Sequence, residues 1–124
     1  MIYDSFITEV AKSINGETSK VISHALVTTD TVSTFPATKV ITGEIGDRFV
    51  LSSSRNGQRV TWDGIRTSSL VTSSDGDTLR GYASAFSSAV GSTNDFGWGA
   101  VLPNLVQTTA FDVNFVAEIR VRRA

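Results

Sequence analysis

The chain has 124 residues and a mass of 13.3 kDa. We expect one domain spanning residues 1–124, because two domains would each fall near the lower size limit for a stable core. The net charge is −1, from 11 Lys and Arg against 12 Asp and Glu, so overall charge does not favour nucleic acid as a partner. The 16 Ser, 15 Thr and 14 Val, against only 2 Pro, favour β-structure over a helical bundle.

Cysteine is absent, which excludes disulfides, thiolate metal sites and thiol nucleophiles. His24 is the only histidine, so one chain cannot build a multi-histidine metal site. No apolar run approaches the roughly 18 residues of a membrane span, and the first residues lack the basic and apolar regions of a signal peptide. We therefore expect no cofactor, no membrane segment and no secretory export.

One amphipathic helix is predicted, over about residues 4–15. Five apolar residues recur at helical spacing, namely Phe6, Ile7, Val10, Ala11 and Ile14. Asp4 or Ser5 is expected to cap the start, and Asn15-Gly16 to end the helix. Because twelve residues are marginal for an isolated helix, the apolar face should dock on a sheet or on a neighbouring subunit.

The remainder, about residues 20–123, is predicted to form strands. The first candidates are residues 20–29 and the short stretch 38–42. Asn56-Gly57 predicts a two-residue type I′ turn, with residue 55 opposite 58 and residue 51 opposite 62. This pairing puts one set of side chains on an apolar face, namely Phe49, Leu51, Val60 and Trp62. The opposite face would be polar, with Ser52, Ser54, Arg59, Thr61 and Asp63.

Three further features follow along the chain. Asp75-Gly76 predicts a second hairpin, joining residues 67–74 to 77–87; its spacing of oxygen-bearing side chains does not match an EF-hand calcium loop. Residues 91–99 are rich in glycine and predict a loop carrying two aromatic rings. Pro103-Asn104 predicts a turn or the start of a new element.

The last strand has the clearest pattern in the chain. From Phe111 to Arg122, apolar residues alternate strictly with mostly polar ones, which predicts one buried and one solvated face. Together these elements predict a mainly β fold of six to eight strands. We expect an antiparallel β-sandwich or jelly-roll-like domain with the short amphipathic helix packed at one end.

Two groups of residues are candidates for an interface or a ligand site. Phe96 and Trp98, beside Asn94 and Asp95, could plug the end of the core, anchor a protein interface or stack on a sugar. Arg120, Arg122 and Arg123 could form a solvated, charged strand edge, an intersubunit salt-bridge strip or a contact with packaged nucleic acid. No residue is predicted to be catalytic, because His24 has no partner residue in any recognisable motif.

The overall pattern resembles small virion proteins of tailed bacterial and archaeal viruses. The stretches that carry the resemblance are Ser5–Gly16, Gly43–Arg48, the turns at Asn56-Gly57 and Asp75-Gly76, and Phe111–Arg123. The resemblance implies a non-enzymatic tail, baseplate, collar or capsid-accessory subunit. Such a protein folds in the host cytoplasm, resides in the virion and contacts its own copies and other virion proteins. The alternative is a carbohydrate- or receptor-binding module, whose partner would be a cell-surface glycan.

Overall fold

The computed structural model describes residues 1–32 and 40–123. These residues form one helix, α1 (Asp4–Ile14), and seven strands. In chain order the strands are β1 (His24–Thr28), β2 (Phe49–Val50), β3 (Ser52–Asn56), β4 (Arg59–Arg66), β5 (Asp77–Ala85), β6 (Phe96–Gln107) and β7 (Val113–Arg120). A single 3₁₀ turn, Ser68–Leu70, lies between β4 and β5.

The strands form two antiparallel sheets. The four-stranded sheet has the order β2-β1-β5-β6, and the three-stranded sheet has the order β3-β4-β7. Leu51 is the residue between β2 and β3 in the chain, and at this residue the chain passes from one sheet to the other. The side chain of Leu51 is buried. The mainly β fold with two antiparallel sheets and a short N-terminal helix confirms the predicted fold class.

The main core lies between the two sheets and is rich in aromatic rings. Trp98 lies 6.0 Å from Trp62 and 5.2 Å from Tyr82, measured between ring centroids, and Phe115 contacts both Phe49 and Tyr82. A second cluster packs on the other face of β1 and β5, and it consists of Tyr3, Leu26, Val32, Ile41, Ala83, Ala85 and Phe96. The four-stranded sheet is therefore buried on both faces. This explains why residues 20–29 are rich in β-formers but do not alternate cleanly.

The hairpin at Asn56-Gly57 exists, but its predicted register is wrong by two positions. Asn56 pairs with Arg59, and Trp62 pairs with Ser53 instead of Leu51. The turn residues are Gly57 and Gln58, and Gly57 has φ +61°, which suits glycine at the first turn position. Because side chains alternate with a period of two, a shift of two positions leaves the residues of β3 and β4 on their predicted faces. Phe49 was predicted in the same hairpin but lies in β2 of the other sheet, where it is also buried.

The prediction of a second hairpin is also wrong, although a turn is present at the predicted position. Gly76 N–H donates to the Ser73 carbonyl, which closes the turn at Asp75-Gly76. Residues 67–74, however, contain the 3₁₀ turn and irregular backbone, so β5 has no strand partner there. Instead β5 pairs with β1 and β6. The candidate strand 38–42 falls partly outside the described residues, and residues 40–42 are not in a strand.

Residues 96–99 do not belong to a loop, and Pro103-Asn104 does not end a strand. Phe96 begins the long strand β6, which contains two irregularities against β5. The first places one extra residue at Gly97-Trp98, and the second places Pro103-Asn104 in a bulge where Asn104 has φ +46°. Bulges permit glycine and proline inside a strand, and for this reason the composition alone predicted a loop and a turn.

Helix α1 ends before Asn15-Gly16 as predicted, but neither Asp4 nor Ser5 caps its start, and the sheet of the same chain leaves most of its apolar face uncovered. The N-cap residue is Tyr3 and no side chain caps the helix; the Ser5 hydroxyl instead donates to the Phe96 carbonyl. Ile7, Val10 and Ile14 are 55%, 42% and 84% exposed, so the predicted docking face points mainly to solvent. The described residues contain no helix that is long and apolar enough to cross a membrane.

The predicted alternation of the last strand is confirmed over Val113–Arg120. Phe115 is buried and Val113, Ala117 and Ile119 are half-buried, whereas the residues between them are exposed. The strand is shorter than predicted, because Phe111 and Val121 lie beyond its ends and are exposed.

Candidate functional site

The structure separates the four residues predicted around the β6 start. Phe96 and Trp98 are 1% and 5% exposed, and they belong to the two different core clusters. Asp95 is also buried, whereas Asn94 is exposed with φ +53°. Both rings therefore fill the core as the core-plug interpretation expects, and neither offers a surface face for stacking on a sugar.

Asp95 belongs to a buried ionic cluster around Arg48. The Arg48 guanidinium donates to Asp95 at 3.0 Å and to both carboxylate oxygens of Glu44 at 3.0 and 3.1 Å. Hydroxyls of Ser87 and Ser92 also donate to Asp95, each at 2.6 Å. Burial alone would raise the pKa of Asp95, but these hydroxyls and Arg48 outweigh it and hold the pKa below its ordinary value. The cluster joins the segment before β2 to the loop between β5 and β6.

A second buried cluster surrounds Arg66, which sequence reasoning missed. Arg66 is fully buried and donates to Asp77 at 2.9 Å, to Gln107 at 2.8 Å and to the Leu70 carbonyl at 2.9 Å. Thr72 donates twice to Asp77, from its backbone N–H and its hydroxyl. Burial opposes ionisation of Asp77, yet the bonds from Thr72 and Arg66 lower its pKa. The sequence signal for this cluster was the position of Arg66, because strand alternation places it on the same inward face of β4 as Trp62 and Gly64.

The acidic groups of both clusters are held in ion pairs. The buried carboxylates of Asp77 and Asp95 are each fixed by a buried arginine, so neither is free to act as a general acid or base. His24 is half-buried in β1, and its Nδ1 lies 2.8 Å from the Ser23 hydroxyl. Within residues 1–32 and 40–123, no group of three His, Cys, Asp or Glu side chains could hold a metal ion.

The predicted basic residues lie at one end of β7. Arg120, Arg122 and Arg123 are all exposed. Arg120 Nε lies 2.9 Å from a Glu118 carboxylate oxygen, and Arg59 on β4 lies 3.4 Å from the same oxygen. These contacts are solvated surface ion pairs, which contribute little to stability on their own.

The outer edge of β7 has a defined hydrogen-bonding pattern. Val121 N–H donates to the Gln58 carbonyl, which extends the β4–β7 ladder by one pair. Because bonded and non-bonded pairs alternate in an antiparallel ladder, the odd-numbered residues of β7 bond to β4. The even-numbered residues, from Asn114 to Arg120, direct their backbone groups away from β4, and no other described backbone group bonds to them.

A groove runs alongside this edge, and we call it the β7 groove. It is a cavity of about 310 Å³, and its walls come from β7, β5, β6 and the first residues of the chain. Its lining residues include Ile2, Tyr82, Trp98, Ala117 and Ile119. The open edge of β7 and an apolar depression therefore occupy the same side of the sandwich.

Comparison with protein-family models, with curated proteins and with solved structures gives no match to this chain.

Proposed function

We propose that this chain is a non-enzymatic structural subunit of a virion, which acts through contacts with its own copies and with neighbouring virion proteins. The observation that carries the proposal is the exposed apolar stripe of α1, formed by Ile7, Val10 and Ile14. These residues lie on successive turns of one helix face, so they form a continuous patch and not isolated exposed side chains.

Burial of this stripe would release free energy that the isolated chain does not gain. Fully burying one large aliphatic side chain is worth about 1.5–3 kcal/mol, and Ile14 is 84% exposed in the single chain. An assembled state that covers the three side chains would therefore be favoured. The sandwich itself does not need the stripe, because α1 is already held to the core through Phe6, Tyr3 and Ser5.

The charged groups give further support to a structural role. The two buried ionic clusters hold separate parts of the chain together, and the carboxylates of Asp95 and Asp77 are both ion-paired within them. The resemblance of the sequence pattern to small virion proteins supplies the setting. A compact sandwich with an amphipathic N-terminal helix is suited to a tail, baseplate, collar or capsid-accessory position.

The test is the native mass in solution, measured by size-exclusion chromatography with light scattering over a wide concentration range. We expect a defined oligomer for the wild-type chain and a smaller species for the double variant Ile7→Ser, Ile14→Ser. The matched control is Val90→Ser, which removes an equally exposed side chain far from α1 in sequence and should not change the mass. A wild-type chain that stays monomeric at every concentration would contradict the proposal.

A further inference from the structure

We propose that two copies of this chain join through the outer edge of β7, with the two β7 strands antiparallel and Glu118 of each copy opposite Arg120 of the other. This inference rests on the proposed function and names the contact through which copies would pair. Such a pair is symmetric, and it extends each three-stranded sheet into one continuous six-stranded sheet, 3 strands from each copy.

The backbone of β7 has hydrogen-bonding groups on its outer edge that this pairing would use. Its even-numbered residues carry the outward-facing N–H and C=O groups, as the β4–β7 ladder dictates. Pairing residue 118 with residue 120 joins two even-numbered positions, so both copies present bonding groups to each other. An odd-to-even pairing would instead put outward-facing groups opposite inward-facing ones and would lose the ladder.

Charge selects among the registers that the backbone permits. With Glu118 opposite Arg120, the symmetric pair contains two ion pairs between the copies. If the strands shifted by one residue each, Glu118 would face Glu118 or Arg120 would face Arg120. Opposed like charges destabilise a strand pair, so the register with mixed charges is preferred. Within one copy, Arg120 and Glu118 already lie 2.9 Å apart, which shows that both charges occupy the same exposed face.

The same register covers the apolar side of the edge. Val121 is 66% exposed although its odd number puts it on the inward face with Ala117 and Ile119. In the proposed pair Val121 of one copy lies opposite Ala117 of the other, beside the β7 groove, and the two Ile119 residues face each other. Backbone, charge and apolar burial therefore agree on one register.

The test uses charge exchange on the full chain, with native mass and dissociation constant as readouts. We expect Glu118→Arg and Arg120→Glu each to weaken pairing at least about tenfold, because each puts two like-charge contacts into the pair. A 1:1 mixture of the two variants should pair again, and so should the double variant Glu118→Arg, Arg120→Glu. Matched controls are Glu17→Arg and Arg55→Glu, which change the same charges at exposed positions away from β7.

Recovery in the mixture and in the double variant separates pairing from misfolding, because a variant that fails to fold cannot be rescued by a partner. Amide exchange gives a second readout: protection at Val116, Glu118 and Arg120 should increase with protein concentration. An oligomer that forms normally in both single variants would overturn the β7 contact while leaving the proposed function intact. A wild-type chain that stays monomeric at every concentration would overturn both the β7 contact and the proposed function.

Discussion

At the scale of single residues, the fold depends on two buried arginines, Arg48 and Arg66. Arg48 and Arg66 each have fully buried side chains; Arg48 is neutralised by Glu44 and Asp95, and Arg66 by Asp77. Removing one partner of such a pair leaves an uncompensated buried charge, which costs more than the pair itself contributes. These residues are therefore the positions where a conservative change should do the most damage.

Asp77→Asn is expected to lower the free energy of unfolding by about 3–5 kcal/mol, because Arg66 would keep its charge in the core without a carboxylate partner. Urea denaturation followed by circular dichroism measures this loss. Asp75→Asn is the matched control: Asp75 lies two residues earlier, in the turn before β5, and is exposed, so its change should stay within about 0.5 kcal/mol. Equal stability of both variants would contradict a structural role for the Arg66–Asp77 pair.

The lowered pKa of Asp77 also fixes the direction of a pH effect. A carboxyl whose pKa is lower in the folded state stabilises the fold above its unfolded pKa of about 3.9. This stabilisation is lost as the pH falls from about 3.9 through the lower pKa that Asp77 has in the folded state. The difference in unfolding free energy between wild type and Asp77→Asn should therefore narrow below about pH 4. Urea titrations of both proteins from pH 7 down to pH 2 test this prediction. A difference in unfolding free energy that stays constant over this range would contradict it.

At the scale of elements, Gly97 allows two nearby aromatic residues to pack on opposite faces of one strand. Side chains two residues apart normally share a face, yet Phe96 and Trp98 lie in different core clusters. The extra residue in β6 at this point reverses the alternation. A Cβ at Gly97 would lie 2.6 Å from Ile22 Cδ1 and 2.5 Å from the Ser84 hydroxyl, so only glycine fits.

Gly97→Ala is expected to destabilise the chain by about 1–3 kcal/mol through this overpacking. The cost should shrink in an Ile22→Val background, because that substitution removes the Cδ1 atom that would lie 2.6 Å from the new methyl group. Thermal or urea unfolding of the four proteins in a double-mutant cycle measures the coupling. Strictly additive effects would mean that Ile22 does not limit the space at Gly97.

The elements that the sequence predicted well are those whose signal is local. The alternation in Val113–Arg120 and the glycine turn after β3 depend on neighbours in sequence, and both are present. The β6 start was missed because its conformation depends on Tyr3 and Ile22, which fill the space beside Gly99 and Gly97. Likewise, the exposure of the α1 stripe depends on which helix face the sheet accepts, and periodicity alone does not contain that information.

The candidate sites, too, could be predicted only where their signal is local in sequence. The basic end of β7 could be identified from Arg120, Arg122 and Arg123 in sequence, and the structure places all three on the surface. Their interface role stays a prediction. The Arg66 cluster could not be anticipated in full, because its partners Asp77 and Gln107 come from two strands whose pairing the sequence did not specify.

At the scale of the whole molecule, the two sheets differ in how fully they are buried. The four-stranded sheet has packed side chains on both faces, with β1 and β5 at its centre. The three-stranded sheet is covered on one face only, and every residue of its edge strand β3 is exposed. Since local opening costs least where few side chains are buried, the two sheets should differ in their opening free energies.

Amide hydrogen exchange on the single chain, at a concentration low enough to prevent assembly, should therefore show three levels of protection. The amides of β5 should exchange slowest, because both neighbours of this strand bond to it within a doubly covered sheet. Within β7, the odd-numbered amides that bond to β4 should exchange more slowly than the even-numbered ones. The outward-facing amides of β3 should exchange fastest among the strand amides. Uniform protection along β7 would contradict the hydrogen-bond alternation on which its free edge depends, whereas slow exchange in β3 would mean that the single chain already covers this edge.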